Sequence, residues 1–326
     1  MSSGRVGVKL RFLLLISGED RVAPDLGRVM SARKIFQGSL VALLTPFQKD
    51  GSLDLPGLTR HIEWQIENGT EGLCPAGTTG ESPTLTHDEH GLVVAHTVKI
   101  AGGRVPVMAG AGSNSTHEAV AMARHARAVG ADGLLVVAPY YNKPTQEGLY
   151  RHYMTVADAT DLPLFVYNVP GRSVVEVLPE TLSRLAGHPN IVGVKDATAN
   201  LVRPLQVKRL TKKKFTQLSG EDGTALAFLA SGGDGCISVT ANIAPRQCAQ
   251  MHKAWREGRV AEAMDIQQKL TPVHDALFCE SNPGPLKYAA AKLGLCGDTL
   301  RLPLHDVSVA SGKLIDAALA EAGLTG

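Results

Sequence analysis

From residue 39 onward the chain alternates short unbroken apolar runs with longer segments in which apolar residues return every third or fourth position. The unbroken runs are 39–47, 72–77, 105–112, 133–139, 163–169, 191–197, 215–220 and 235–240. Runs of this length suit strands covered on both faces, as in a parallel sheet. Between them, Leu58, Ile62 and Ile66 stack at helical spacing, and Ala119, Met122, Ala123, Ala126 and Val129 trace a second stripe. Such stripes mark helices with one buried face. Gly69, Gly130 and Gly187 stand where those helices should stop, because glycine closes a helix in the left-handed conformation without a steric penalty.

Strands that each lead into a helix predict an α/β fold, a closed (β/α)8 TIM barrel, since parallel neighbours need a crossover and both faces need cover. Further helical patterns follow (Met251 to Trp255, Ala261 to Leu277, Leu286 to Leu295, Val309 to Ala322) and predict a C-terminal helical appendage. The expected division is an extension outside the fold over 1–33, a barrel over 34–242, and closing and C-terminal helices over 243–326. An open doubly wound sheet is the competing architecture. Gly110-x-Gly112 follows a strand run, but the third glycine of a dinucleotide fingerprint is missing, and a tight turn explains the pair.

Composition narrows the function class. Thirty-three Lys and Arg against thirty-one Asp and Glu leave a net charge of +2, too small a surplus to attract nucleic acid or an anionic membrane. Lys212, Lys213 and Lys214 form the one basic run singled out, and a solvated helix end accounts for it. The five cysteines are scattered with no C-x-x-C pair, which argues against a disulfide framework or a zinc site and for the cytoplasm. Arg5, Lys9 and Arg11 before Phe12–Ile16 imitate a signal peptide, but that apolar run is shorter than the roughly seven residues an h-region needs. Met30 opens a second candidate start. No run approaches transmembrane length.

In a barrel of this kind chemistry gathers at the C-terminal ends of the strands. Those ends carry Thr45, Thr78, Thr79, Asn114, Tyr140, Tyr141, Tyr167, Asn168, Lys195, Asp196, Gly220, Glu221, Ser238 and Thr240, with Arg172 nearby. Hydroxyls therefore surround one lysine. Lys195 follows Ile191-Val192-Gly193-Val194. Alone it reads as a lysine snorkelling from a strand end into water. A desolvated amine, however, can attack a carbonyl and form an imine, an electron sink that acidifies the neighbouring methyl group.

Tyr167 ends the preceding strand and could move the protons this requires, or simply be a rim aromatic. Thr78 and Thr79 lie in the turn Gly77-Thr-Thr-Gly-Glu81, which could present N–H groups to a carboxylate or be a plain strand-to-helix turn. Arg172 suits bidentate capture of a carboxylate, or could be a surface arginine. His87 and His90 could ligate a metal, but no third ligand accompanies them, and Thr86-x-x-Glu89 is a capping box that explains the carboxylate.

Taken together, GTTGES (77–82), APYYNKP (138–144), YNVPGR (167–172), GVKDA (193–197), SVTAN (238–242) and NPGPLK (282–287) resemble the dihydrodipicolinate synthases, also called 4-hydroxy-tetrahydrodipicolinate synthases, from about residue 35 to the C-terminus. The resemblance implies condensation of pyruvate with L-aspartate-4-semialdehyde, on the route to lysine and diaminopimelate, without metal or organic cofactor. It implies Lys195 as the Schiff-base lysine and Tyr167 as proton donor and acceptor, with Thr78 and Tyr141 completing a hydroxyl relay. Tyr141 would act in the site of a neighbouring subunit. Thr79 and Ile237 match positions that touch pyruvate, Arg172 the receiver of the semialdehyde carboxylate, and Gly220 and Asn282 positions lining the same pocket.

A homotetramer built as a dimer of dimers is implied. Ser82, His87, His90, Asn114, Glu118 and Tyr140 match an interface site for inhibitory lysine in sensitive relatives. Pro83 stands where a small residue is frequent, and Glu221 where relatives often carry Asp, a departure that bears on the fit of the second substrate. The competing readings are a sialic acid or keto-deoxy-sugar lyase, which the arginine disfavours; a metal-dependent barrel enzyme using His87 and His90; and a catalytically silent ligand-binding paralogue.

Overall fold

Each apolar run corresponds to one parallel strand in the computed structural model of the chain, which describes residues 36–325. The expected extension over 1–33 and the second start at Met30 lie outside the described residues. The strands are β1 (Gly38–Ala42), β2 (Gly72–Cys74), β3 (Met108–Gly110), β4 (Gly133–Val137), β5 (Leu164–Asn168), β6 (Ile191–Asp196), β7 (Thr216–Ser219) and β8 (Gly235–Ser238). They run β2-β1-β8-β7-β6-β5-β4-β3. A parallel bridge between Leu73 and Val107 joins the two ends, where Leu73 N donates to Pro106 O at 2.9 Å and Gly110 N to Pro75 O at 3.0 Å. The sheet is a closed (β/α)8 TIM barrel.

The crossover helices are α1 (Leu55–Glu67), α2 (His87–Ala101), α3 (Thr116–Ala128), α4 (Gln146–Asp158), α5 (Pro170–Ser173), α6 (Pro179–Leu185), α7 (Arg203–Leu210), α8 (Ala225–Ala230) and α9 (Pro245–Arg256). Asp54, Thr86, Ser115 and Thr145 cap α1 to α4, each accepting a backbone N–H from the first turn, which satisfies donors that have no partner inside the helix. The expected capping box of Thr86 and Glu89 is present. Gly69 and Gly130 follow α1 and α3 with φ of +87°.

Strand residues divide between two apolar layers. Leu40, Met108, Leu135, Phe165, Leu218 and Ile237 point into the barrel, whereas Val41, Leu73, Leu134, Val166 and Val194 meet the helices. A side chain fully buried in this way contributes roughly 1.5–3 kcal/mol. One irregularity decides what the barrel mouth contains. Val192 packs inside and Val194 outside although they are two residues apart, because the β5–β6 register slips between Leu164 and Phe165. A Cβ added to Gly193 would come within 2.5 Å of the Phe165 ring, so Gly193 also faces inward. This bulge restarts the alternation one residue late. Lys195, opposite Tyr167, therefore turns into the barrel and Asp196 turns out.

The appendage consists of α10 (Val260–Ala276), α11 (Gly284–Lys292) and α12 (Val309–Glu321). Val273, Leu277, Leu286, Ile315 and Leu319 of this segment form one apolar cluster with Leu44, Val239 and Ile243 beyond β1 and β8. That places the appendage against the C-terminal ends of those strands.

Candidate active site

Lys195 is 5% and Tyr167 7% exposed. The lysine Nζ lies 4.4 Å from the centre of the Tyr167 ring. Among the described residues Lys195 makes no ion pair, although a carboxylate follows it in sequence. Asp196 is engaged elsewhere: it accepts from Arg203 Nε at 2.8 Å, from Thr198 N at 3.0 Å and from the Thr198 hydroxyl. Arg203 also pairs with Glu176 and donates to Val177 O. The outward turn of Asp196 thus leaves the amine without an ion-pair partner among the described residues.

Other nucleophiles at this depth are silent. Burial pushes the Cys74 thiol up to about 12 despite the opposing pull of the Lys195 charge. Burial, and then the neighbouring Asp222 carboxylate, likewise raise the Cys236 thiol well above its ordinary range. Burial, and then Asp222, also raise the Glu221 carboxyl. Gly220 is glycine for a local reason: a Cβ there would come within 2.7 Å of Ala197 Cβ and 3.0 Å of Lys195 Cε. Ile237, fully buried, belongs to the apolar layer inside the barrel with Tyr167.

Thr78, Tyr167 and Arg172 line one cavity of about 380 Å³. Thr79 lies buried behind that wall, receiving the Asn282 Nδ2 donor at 3.1 Å. Arg172 Nη2 in turn donates to Asn282 O at 3.3 Å. Asn282 therefore couples the threonine turn to the arginine, and its own Oδ1 is buried without a hydrogen-bond partner. The turn is bracketed by Ala76 at φ +53° and Glu81 at φ +54°, left-handed conformations that cost roughly 1–3 kcal/mol each at a non-glycine residue. Gly80 allows the fold beneath it, since a Cβ would meet Leu43 O at 3.0 Å, and Thr45 Oγ1 donates to Gly80 O at 2.8 Å.

Several strand-end candidates prove structural. Ser238 Oγ donates to the buried Asp222, which also accepts from Val239 N and Thr240 N at 2.8 and 3.1 Å. Thr240 Oγ1 bonds His274 Nδ1 at 2.8 Å, and Asn168 Oδ1 accepts from Val177 N. Tyr141 stands apart at 88% exposure, in the left-handed conformation at φ +72°. Ser82, His87, His90, Glu118 and Tyr140 line the same cavity as Tyr167, whereas Asn114 does not and receives Asn142 Nδ2 at its carbonyl. Glu118 accepts from Ser113 Oγ at 2.6 Å. Burial, aided by His125 and His87, pulls His90 down to about 4, and its Nε2 has no partner. No group of three or more His, Cys, Asp or Glu side chains among the described residues could hold a metal ion.

The sequence reading passed over Glu81 and Lys287, quoted only inside their motifs, and Arg203 and Arg301 entirely. One signal was available. Lys287 sits between Leu286 and the alanines 289–291 of α11, and a charge on an apolar helix face needs a partner.

A model of the Dihydrodipicolinate synthetase family matches residues 35–322. The 4-hydroxy-tetrahydrodipicolinate synthase of Gluconacetobacter diazotrophicus is 66% identical over 291 residues, 89% of this chain and 98% of its own. The chloride-inhibited dihydrodipicolinate synthase from Acinetobacter baumannii, solved with pyruvate, is 44% identical with a TM-score of 0.86, over 89% of this chain and 99% of that one. The enzyme from Cyanidioschyzon merolae, solved with lysine bound, is 36% identical with a TM-score of 0.87, over 89% and 99%. No helix among the described residues is long and apolar enough to cross a membrane. On the strength of the family match, the relatives and the shared barrel, this chain belongs to the dihydrodipicolinate synthetase family.

Proposed function

We propose that the chain condenses pyruvate with L-aspartate-4-semialdehyde as a 4-hydroxy-tetrahydrodipicolinate synthase, through a Schiff base on Lys195. The observation that carries this reading is a buried lysine with no ion-pair partner among the described residues, set against a tyrosine ring beside a cavity of substrate size. The flexible four-carbon stem lets Nζ swing past the ring to the substrate. The amine attacks the keto carbon of pyruvate. Tyr167 delivers the proton with which the oxygen leaves as water, and the imine remains. Loss of a methyl proton gives the enamine, which adds to the aldehyde carbon. The amine of the second substrate then displaces Lys195 and closes the ring. The imine itself is the electron sink, so the scheme runs without metal or organic cofactor.

Thr78 and Tyr141 complete the proton relay in this scheme, Tyr141 from a neighbouring subunit. Its exposure and its strained backbone support that reading. Thr79, Ile237, Gly220 and Asn282 shape the pyruvate site, and Arg172 holds the semialdehyde carboxylate. The active unit is then a dimer, two of which form a tetramer. Sedimentation showing a fully active monomer would exclude this. Five free cysteines are consistent with a cytoplasmic setting.

Ser82, His87, His90, Asn114, Glu118 and Tyr140 form a site for inhibitory lysine, with Glu118 facing its ammonium group. The unpartnered His90 Nε2 on the shared cavity supports it. Calorimetry finding no binding at millimolar lysine would remove this part alone. The chemistry is tested by borohydride reduction with pyruvate and peptide mapping. Label is expected on Lys195 alone, and label on another lysine, or none in active enzyme, would overturn the reading.

A further inference from the structure

Glu81 closes the Thr78–Thr79 turn, and its side chain is completely removed from solvent. So is that of Lys287 on α11, whose Nζ lies 2.5 Å from Glu81 Oε1. The same Nζ donates to Thr299 O at 2.8 Å and sits 4.1 Å from the Phe47 ring centre. Arg301, on the segment after α11, lies 4.3 Å from the same ring. Its backbone N donates to Glu81 Oε2 at 3.2 Å, its Nε to Gly51 O at 2.9 Å and its Nη1 to Thr84 O at 2.9 Å. It also makes a two-pronged pair with Glu89 at 2.6 and 2.8 Å. Five residues before Lys287, Asn282 reaches Thr79.

The C-terminal segment therefore grips the turn and the start of α2 at Thr79, Glu81, Thr84 and Glu89. Among the described residues no other strand-to-helix loop of the barrel is ion-paired to that segment. Burial pulls the Lys287 ammonium below its ordinary range and the Glu81 carboxylate opposes that pull. A pair this deep is poor value as a source of stability, because desolvation opposes the attraction. What it supplies is one fixed arrangement, since sliding the turn would strand a charge in an apolar interior.

We propose that Glu81, Lys287 and Arg301 are positioning residues: a charged clamp by which the appendage holds the Thr78 and Thr79 hydroxyls in register with Tyr167 and Lys195. This rests on the Schiff-base reading of the site. None of the three lines the cavity. They act through the turn.

The test compares Lys287→Met, Arg301→Gln and the double variant Glu81→Gln/Lys287→Met with wild-type enzyme. Borohydride trapping of pyruvate counts competent sites, so turnover is expressed per trapped site and unfolded protein drops out. Hydrogen exchange at amides 77–82 reports the turn directly. The double variant buries no unpaired charge and should fold even if Lys287→Met does not. Its turnover per site should nevertheless fall roughly ten- to a hundredfold, with KM for pyruvate raised and exchange at 77–82 accelerated. Arg301→Gln should show a smaller change in the same direction. Wild-type turnover per site and wild-type exchange in the double variant would overturn the clamp, leaving the pair a matter of packing. Absence of pyruvate trapping in the wild type would instead remove the Schiff-base reading, and exchange at 77–82 would then decide the clamp: faster in the double variant supports it, unchanged overturns it.

Discussion

Among the described residues two lysines are withdrawn from water, one in the barrel and one on the appendage, and they are handled in opposite ways. Lys287 is paired with Glu81, bonded to a carbonyl and laid against Phe47. Lys195, nearly as deep, has a tyrosine ring and no ion pair among the described residues. The adjacent carboxylate that could have served it is turned outward and held by Arg203. Two lysines can therefore be almost equally buried and differently held. Company differs: Lys287 is tied to a fixed anion, and Lys195 is left without one and so is not held in a single geometry.

The sharpest way to break the comparison is to remove each amine. Lys195→Ala should abolish pyruvate trapping and lower turnover on the order of a thousandfold or more, while the urea midpoint stays near that of the wild type. A variant that still traps pyruvate would erase the distinction. Tyr167→Phe keeps the ring beside Lys195 and removes the phenolic proton. Steady-state rates should fall roughly a hundred- to ten-thousandfold with folding intact, and a loss under threefold would deny the tyrosine its proton-transfer role. Lys287→Met should reverse the pattern in stability, losing about 3–5 kcal/mol by urea unfolding because Glu81 is left buried and unpaired. The double variant with Glu81→Gln should recover most of that loss, and failure to recover would mean that the charge is not what the site needs.

The smallest effect concerns pH. Arg301, with the Thr86 N–H, holds the Glu89 carboxyl down to about 2. A carboxylate depressed on folding contributes stability that is present above its unfolded value near 4.3 and disappears as pH falls toward 2. Glu89→Gln should therefore cost about 1 kcal/mol at neutral pH, a difference that thermal melts should find gone near pH 2. Loss between about 6.5 and 4 has another source. Burial pulls His61 and His90 to about 4 and His252 to about 3. These rings stay neutral in the fold while the unfolded chain takes up protons below about 6.5, so stability falls with pH through that window. If Glu89→Gln shifted the 6.5 to 4 limb instead, the attribution would fail.

The barrel was legible because eight unbroken apolar runs admit few other architectures. The ladders are shorter than those runs, and proline explains much of the difference. Pro75 has no N–H to extend β2, and Pro106 precedes β3. Lys195, Tyr167, Thr78 and Arg172 were legible as candidates because motif order and strand ends agreed. The partners that hold them were not. Glu81 and Lys287 are 206 residues apart (287 minus 81), and nothing local marks them as a pair. Nor does local sequence show that Ser238 and Thr240 are committed to Asp222 and His274. Long-range satisfaction of buried polar groups is a property of the assembled core.

The slipped register between β5 and β6 has a consequence for how this chemistry could be lost or gained. A strand offers two sets of side chains, one to each face, and a single inserted or deleted residue exchanges them. Here the extra residue at Val192–Gly193 sets the phase in which an amine faces the mouth. Were the six residues of β6 to alternate regularly from Ile191, without the bulge, the same hexapeptide would present Asp196 inward and Lys195 to the helices. A mouth that presents an amine would present a carboxylate instead. The inward-facing lysine is thus specified twice, once by its codon and once by the parity of the strand that carries it.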